Sequence, residues 1–134
     1  MKIELLERRR LLSVAVAQTS PGYFEIQGDD SPNPINVQVS QGDDSFTLDG
    51  VTYSNVNFIS VFGNGGDDTI FGSQYDDQLY GDPGTDEIDG NSGNDVIYAQ
   101  SGYADRIYGD NGSDTVYCSG TEISLSSVEH IIYR

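Results

Sequence analysis

The chain has no tryptophan and only one cysteine, one histidine and one methionine among its 134 residues. Cys118 alone cannot close an internal disulfide, so a small fold must be held together by something other than cystine. His130, with no partner histidine or cysteine cluster, offers no zinc-type centre and reads as structural. Bases are scarce as well: six Lys and Arg stand against 22 Asp and Glu, a formal charge of -16, and beyond residue 20 only Arg106 and Arg134 remain. With no basic patch to follow phosphates, nucleic-acid binding is excluded. A polyanion is also repelled by anionic headgroups, and no apolar run approaches the roughly 20 residues of a membrane-spanning helix. The length allows one domain, which excludes a catalytic domain with a separate accessory domain.

What is abundant is glycine, with 16 copies, beside many Asp and Asn, nine Tyr and five Phe. Glycine with acids suits a disordered linker, whereas the rings and the frequent Ile and Val supply a core, so the order of residues decides. That order repeats. Units of nine run from Gly63 to Phe71, Gly72 to Tyr80, Gly81 to Asp89 and Gly90 to Tyr98; Ala99 to Tyr108 carries one extra residue, and Gly109 to Tyr117 restores the period. The sixth position is always aspartate: Asp68, Asp77, Asp86, Asp95, Asp105 and Asp114. The eighth is always aliphatic: Ile70, Leu79, Ile88, Ile97, Ile107 and Val116.

One aliphatic residue in nine cannot make an amphipathic helix, so each unit reads as a turn and a very short strand. Glycines at positions one and four permit left-handed backbone and close approach, and the last three residues run extended with position eight inward. Such a unit cannot bury its side chain alone, so the units stack two per coil into a parallel solenoid. One edge then carries Asp68, Asp86 and Asp105, the other Asp77, Asp95 and Asp114, at the strand spacing of about 4.8 Å. Superposed carboxylates repel by about 1 kcal/mol in bulk water and several times that near a protein surface. A hard cation between successive turns converts that repulsion into coordination. An irregular all-oxygen cage suits calcium, whereas magnesium demands tighter octahedral geometry.

The pattern resembles the GGxGxDxUx nonapeptide of the repeats-in-toxin (RTX) family, the haemolysin-type calcium-binding β-roll. The resemblance covers Gly63 to Tyr117 and is carried best by GlyAsnGlyGlyAspAspThrIlePhe at 63 to 71, GlyAsnSerGlyAsnAspValIleTyr at 90 to 98 and GlyAspAsnGlySerAspThrValTyr at 109 to 117. It implies an all-β, right-handed parallel β-roll binding several Ca2+ ions. The six aspartates would be ligands, with turn carbonyls at Gly63, Gly65, Gly66, Gly81, Gly84, Gly90, Gly93, Gly109 and Gly112 completing each shell. Tyr75 at the second glycine position, and Ala99 with its insertion, depart from the pattern and weaken the expectation at those two turns.

Flanking the repeat, GlyAspAspSerPhe at 42 to 46 copies the turn-to-strand step of GlyAspAspThrIle at 66 to 70, and Gly28-Asp29-Asp30 is a fainter copy. Residues 21–62 therefore read as irregular coils, with Asp44 and Asp30 as further metal candidates and strands at Ile35 to Val39, Ser45 to Leu48, Val51 to Tyr53 and Asn57 to Val61. Residues 118–134 read as strands that cap the stack. Residues 1–20 place Arg8, Arg9 and Arg10 before Leu11, Leu12 and Ala15-Val16-Ala17, an export-signal-like order with a cleavage site before Gln18 that loosely resembles a twin-arginine signal. Residues 5 to 13 also resemble the amino-terminal tag of secreted planctomycete proteins. The competing reading is a retained arm that caps the body. Secretion from a bacterium follows from the first reading.

Position nine places Tyr80, Tyr98 and Tyr117 in one column, either packing the sheet surface or binding a glycan or a neighbouring subunit. No nucleophile has a nearby base, so no enzyme is expected. Three functions remain: a secreted calcium-dependent structural block forming homopolymers, an adhesive glycan-binding module, or a secretion appendage of a larger enzyme.

Overall fold

The computed structural model describes residues 14–32, 34–36, 44–48, 50–100, 103–119 and 123–134, so the arginine-rich stretch of the export-like segment, Gly42-Asp43 and the end of the Ile35 to Val39 run lie outside the described residues. Among the described residues every element is a β-strand. In chain order these are β1 (Ala15–Ser20), β2 (Tyr23–Gln27), β3 (Pro34–Asn36), β4 (Ser45–Leu48), β5 (Val51–Ser54), β6 (Phe58–Phe62) and β7 (Thr69–Phe71). They continue with β8 (Gln78–Asp82), β9 (Glu87–Asp89), β10 (Val96–Ala99), β11 (Arg106–Tyr108), β12 (Thr115–Cys118), β13 (Ser124–Ser126) and β14 (His130–Tyr133).

Alternate strands go to opposite sheets, as two units per coil require. One sheet has the order β1-β2-β6-β8-β10-β12-β14 and the other β13-β11-β9-β7-β3. All pairings in them are parallel except β1 with β2. Register follows the aliphatic column: Val61 lies beside Leu79, Leu79 beside Ile97 and Ile97 beside Val116. In the other sheet Ile35, Ile70, Ile88 and Ile107 align in the same way. All eight side chains are fully buried in one core. Each contributes about 1.5–3 kcal/mol of burial, far short of ordering a nine-residue unit, so neighbouring coils are obligatory. The extra residue of the fifth unit is taken up before β11, because Ile107 stays level with Ile88.

The amino-terminal part departs from the expected coils in two places. β4 and β5 form an antiparallel hairpin of their own, turned at Gly50 with φ +77°. Aromatic packing explains it: Phe46 stacks on Tyr53 at 4.9 Å and meets Phe24 edge-on at 5.5 Å, so the hairpin covers the first coil with rings. Second, β1 lies antiparallel along β2, with Val14 and Val16 against the core. The Ala17-Gln18 bond thus falls inside a strand.

Gly28 also sits differently from its sequence alignment. Gln27 pairs with Phe62 and the Gly28 N–H donates to the Phe62 carbonyl at 2.8 Å, which places Gly28 at position one, level with Gly63. Asp30 therefore falls at position three, against Gly65, and not in the aspartate column. At the other end, β13 and β14 add one more rung to each sheet, with Leu125 beside Ile107 and Ile131 beside Val116. Ile131, Ile132 and Tyr133 are 42%, 40% and 69% exposed on that last strand.

Candidate metal centre

The six position-six aspartates are all at most 2% exposed, in two columns inside the coil edges. Within each column the Oδ1 of one aspartate accepts the backbone N–H of the aspartate one coil earlier. Asp68 donates to Asp86, Asp77 to Asp95, Asp86 to Asp105 and Asp95 to Asp114, each at 2.9 Å. The carboxylates are thus fixed by the same register that aligns the core.

Four of the second oxygens have no such partner. Oδ2 of Asp86, Asp95, Asp105 and Asp114 is buried without a hydrogen-bond donor. A carboxylate oxygen accepts only, so burial without a donor costs several kcal/mol unless a cation or a proton reaches it. The position-one glycines show where these oxygens point: a Cβ added at Gly63, Gly81 or Gly109 would lie 2.5 Å from Oδ2 of Asp68, Asp86 or Asp114. The Gly81 carbonyl faces Gly63 from the next coil, as that of Gly90 faces Gly72 and that of Gly109 faces Gly90. Oxygen therefore converges on the Gly63, Gly72, Gly90 and Gly109 turns from their own aspartates and from the coil below. These glycines do not have positive φ; they are glycine because the oxygens leave no room for a side chain.

At position four both reasons apply. Gly66, Gly93 and Gly112 have φ of +105°, +120° and +150°, and a Cβ at Gly84 or Gly112 would strike the carbonyl of Gly66 or Gly93. The left-handed corner that sequence reasoning assigned to glycine alone is shared by position two, where Asn64, Asp82, Asn91 and Asp110 have φ between +63° and +67°. Asn and Asp tolerate that region best among residues with side chains, and their run down the second column was the available signal. At position five Asp67 and Asp76 accept the N–H of Thr85 and Asn94 at 2.9 and 2.7 Å, so these acids brace the turns.

The Asp77 turn is built differently. Ser73 donates its N–H to Oδ2 at 2.6 Å and its hydroxyl to Oδ1 at 2.9 Å, so this carboxylate is satisfied by its own unit. Asp44 stands outside both columns, exposed, where the Tyr75 hydroxyl donates to it. One carboxylate sequence reasoning missed is Glu129: His130 pairs with Thr115, setting Glu129 beneath Asp114. On the other edge Ser124 pairs with Arg106, setting Ile123 beneath Asp105.

Burial dominates the electrostatics. It raises Asp86 to about 7 and Asp95 to about 8, opposed by the hydrogen bonds they accept and reinforced by their column neighbours. Asp77 rises to about 7 for the same reason, against the opposing bonds from Ser73, and Asp105 and Asp114 are raised as well. Among the described residues no three His, Cys, Asp or Glu side chains form a metal-holding group. A cation here would take one or two carboxylates and otherwise backbone carbonyls, a donor set that fits calcium.

Compared with known families, residues 62–97 and 101–117 match the RTX calcium-binding nonapeptide repeat in four copies. No curated protein and no solved structure matches the chain.

Proposed function

We propose, from the premise that residues 62–117 are RTX-type repeats and so imply calcium, that this protein is a secreted, non-catalytic β-solenoid that folds on extracellular calcium and serves as a self-assembling structural block. The observation that carries the calcium part is the set of buried Oδ2 atoms of Asp86, Asp95, Asp105 and Asp114, each lacking a donor. The ions sit between successive turns, Asp68 with Asp86, Asp86 with Asp105 and Asp95 with Asp114, whereas Ser73 makes the Asp77 turn independent of one. Oxygen-ligand sites of extracellular modules are typically weak, with Kd near 10⁻⁴–10⁻³ M, which suits a chain made where calcium is scarce and used where it is plentiful. RTX-repeat proteins are typically secreted by bacteria, which favours the export reading of residues 1–20.

Self-assembly is favoured by the edge of the seven-stranded sheet: among the described residues β14 borders it, and Ile131, Ile132 and Tyr133 are exposed there, an arrangement that invites a further strand. Light scattering and negative-stain microscopy with millimolar calcium are expected to show filaments or sheets; monomers at high concentration would remove the structural role.

The tyrosine column supports packing over glycan binding. Phe62, Tyr80, Tyr98 and Tyr117 stack at 4.5, 4.4 and 5.0 Å with tilts of 9°, 2° and 9°, and Arg134 lies 4.1 Å over the last ring. Ring faces are consumed by one another, and a sugar needs a free face. Replacing Tyr80, Tyr98 and Tyr117 by Ser is expected to leave the calcium stoichiometry intact by calorimetry. Stability falls by roughly 2–4 kcal/mol for the lost ring contacts. Loss of calcium binding in this variant would make the column part of the metal site.

A further inference from the structure

Below Asp114 the repeat has ended, yet the structure continues its pattern with different residues. Glu129 Oε2 accepts the Asp114 N–H at 2.8 Å, the bond that Asp114 Oδ1 makes to Asp95 at 2.9 Å one coil earlier. The partners are only 15 residues apart, against 19 for the preceding pair, so the connection into this coil is shorter. Ser127 has φ +53°, and its carbonyl faces Gly109 just as the Gly109 carbonyl faces Gly90. Asp114 itself is 0% exposed, and its donorless Oδ2 points to the same spot beneath Gly109.

We propose that this last coil, outside the matched repeat, completes one more calcium site, with Asp114 above and Glu129 and the Ser127 carbonyl below. The proposal rests on the calcium reading of the repeat. Two carboxylates and a carbonyl offer acceptors only, and a hard divalent cation satisfies them together. Glu129 is exposed, so the ion has access from the rim. Among the described residues the opposite edge has no equivalent, because Ile123 lies beneath Asp105.

Glu129→Gln keeps an oxygen for the Asp114 N–H and removes the charge. Native mass spectrometry and calorimetry with calcium alone are expected to count one ion fewer than in the wild type, with the remaining sites unchanged. Equal counts and affinities in the two proteins overturn the terminal site. Wild type that binds no calcium overturns the repeat reading and this site with it, a distinct result. If the variant does not fold, wild type labelled with ¹³Cδ-glutamate and held folded without calcium at pH 5, where protonated carboxyls keep the coil, decides: the Glu129 carboxyl resonance is expected to move on calcium saturation, and a resonance that stays in place overturns the proposal.

Discussion

Chelating calcium at pH 8.5 is expected to abolish nearly all of the β signal in circular dichroism, and restoring millimolar calcium to bring it back. The magnitudes decide this. A domain of this size is stable by only about 5–15 kcal/mol. An ionised carboxylate taken out of water without a counter-ion costs several kcal/mol after relaxation. Asp86, Asp95, Asp105 and Asp114 each bury one oxygen without a donor, and the columns place like charges one strand spacing apart. Four such costs match or exceed the whole margin, so the ionised, calcium-free coil cannot persist. Bound calcium reverses the balance and makes metal binding the source of folding free energy. A spectrum indifferent to chelator would leave the buried oxygens without a function and end the calcium account.

Acid is expected to substitute for calcium. Asp86 and Asp95 titrate near 7 and 8 in the fold, and Asp77 near 7, against 3.8 for a free aspartate. Between about pH 4 and 8 the calcium-free fold thus holds more protons than the unfolded chain. Its stability falls as pH rises through that window, by up to about 1.4 kcal/mol per group per pH unit. Calcium-free protein brought from pH 8.5 to pH 5 should gain β signal and lose it on return, while calcium affinity weakens in acid because protons compete for the same oxygens. Circular dichroism and calorimetry across this range test both, and a calcium-free signal flat from pH 5 to 8.5 would contradict the burial of ionisable oxygen.

Much of the architecture could be read from two columns of residues. Aspartate at every sixth position and an aliphatic at every eighth gave the parallel stack, the two units per coil and the two acidic edges, because a side chain repeated at a fixed interval must superpose once the units stack. The hairpin at Ser45 to Ser54 could not be read this way. Its short alternating strands fit a coil equally well, and contact among Phe24, Phe46 and Tyr53, distant in sequence, made the choice. Gly28 was misaligned by three residues because Gly-Asp occurs at position one, as in Gly81-Asp82 and Gly109-Asp110, as well as at position four, as in Gly66-Asp67, and only pairing with Phe62 fixes which frame holds.

Periodicity by itself determined which residues face inward and that acids accumulate along both edges, since both follow from repetition alone. Only tertiary structure decided how each acid is satisfied. Ser73 closes one turn, glycine lets oxygen approach in others, and Glu129 extends one edge, because hydrogen bonds between coils depend on register and on a few tenths of an ångström that no spacing encodes.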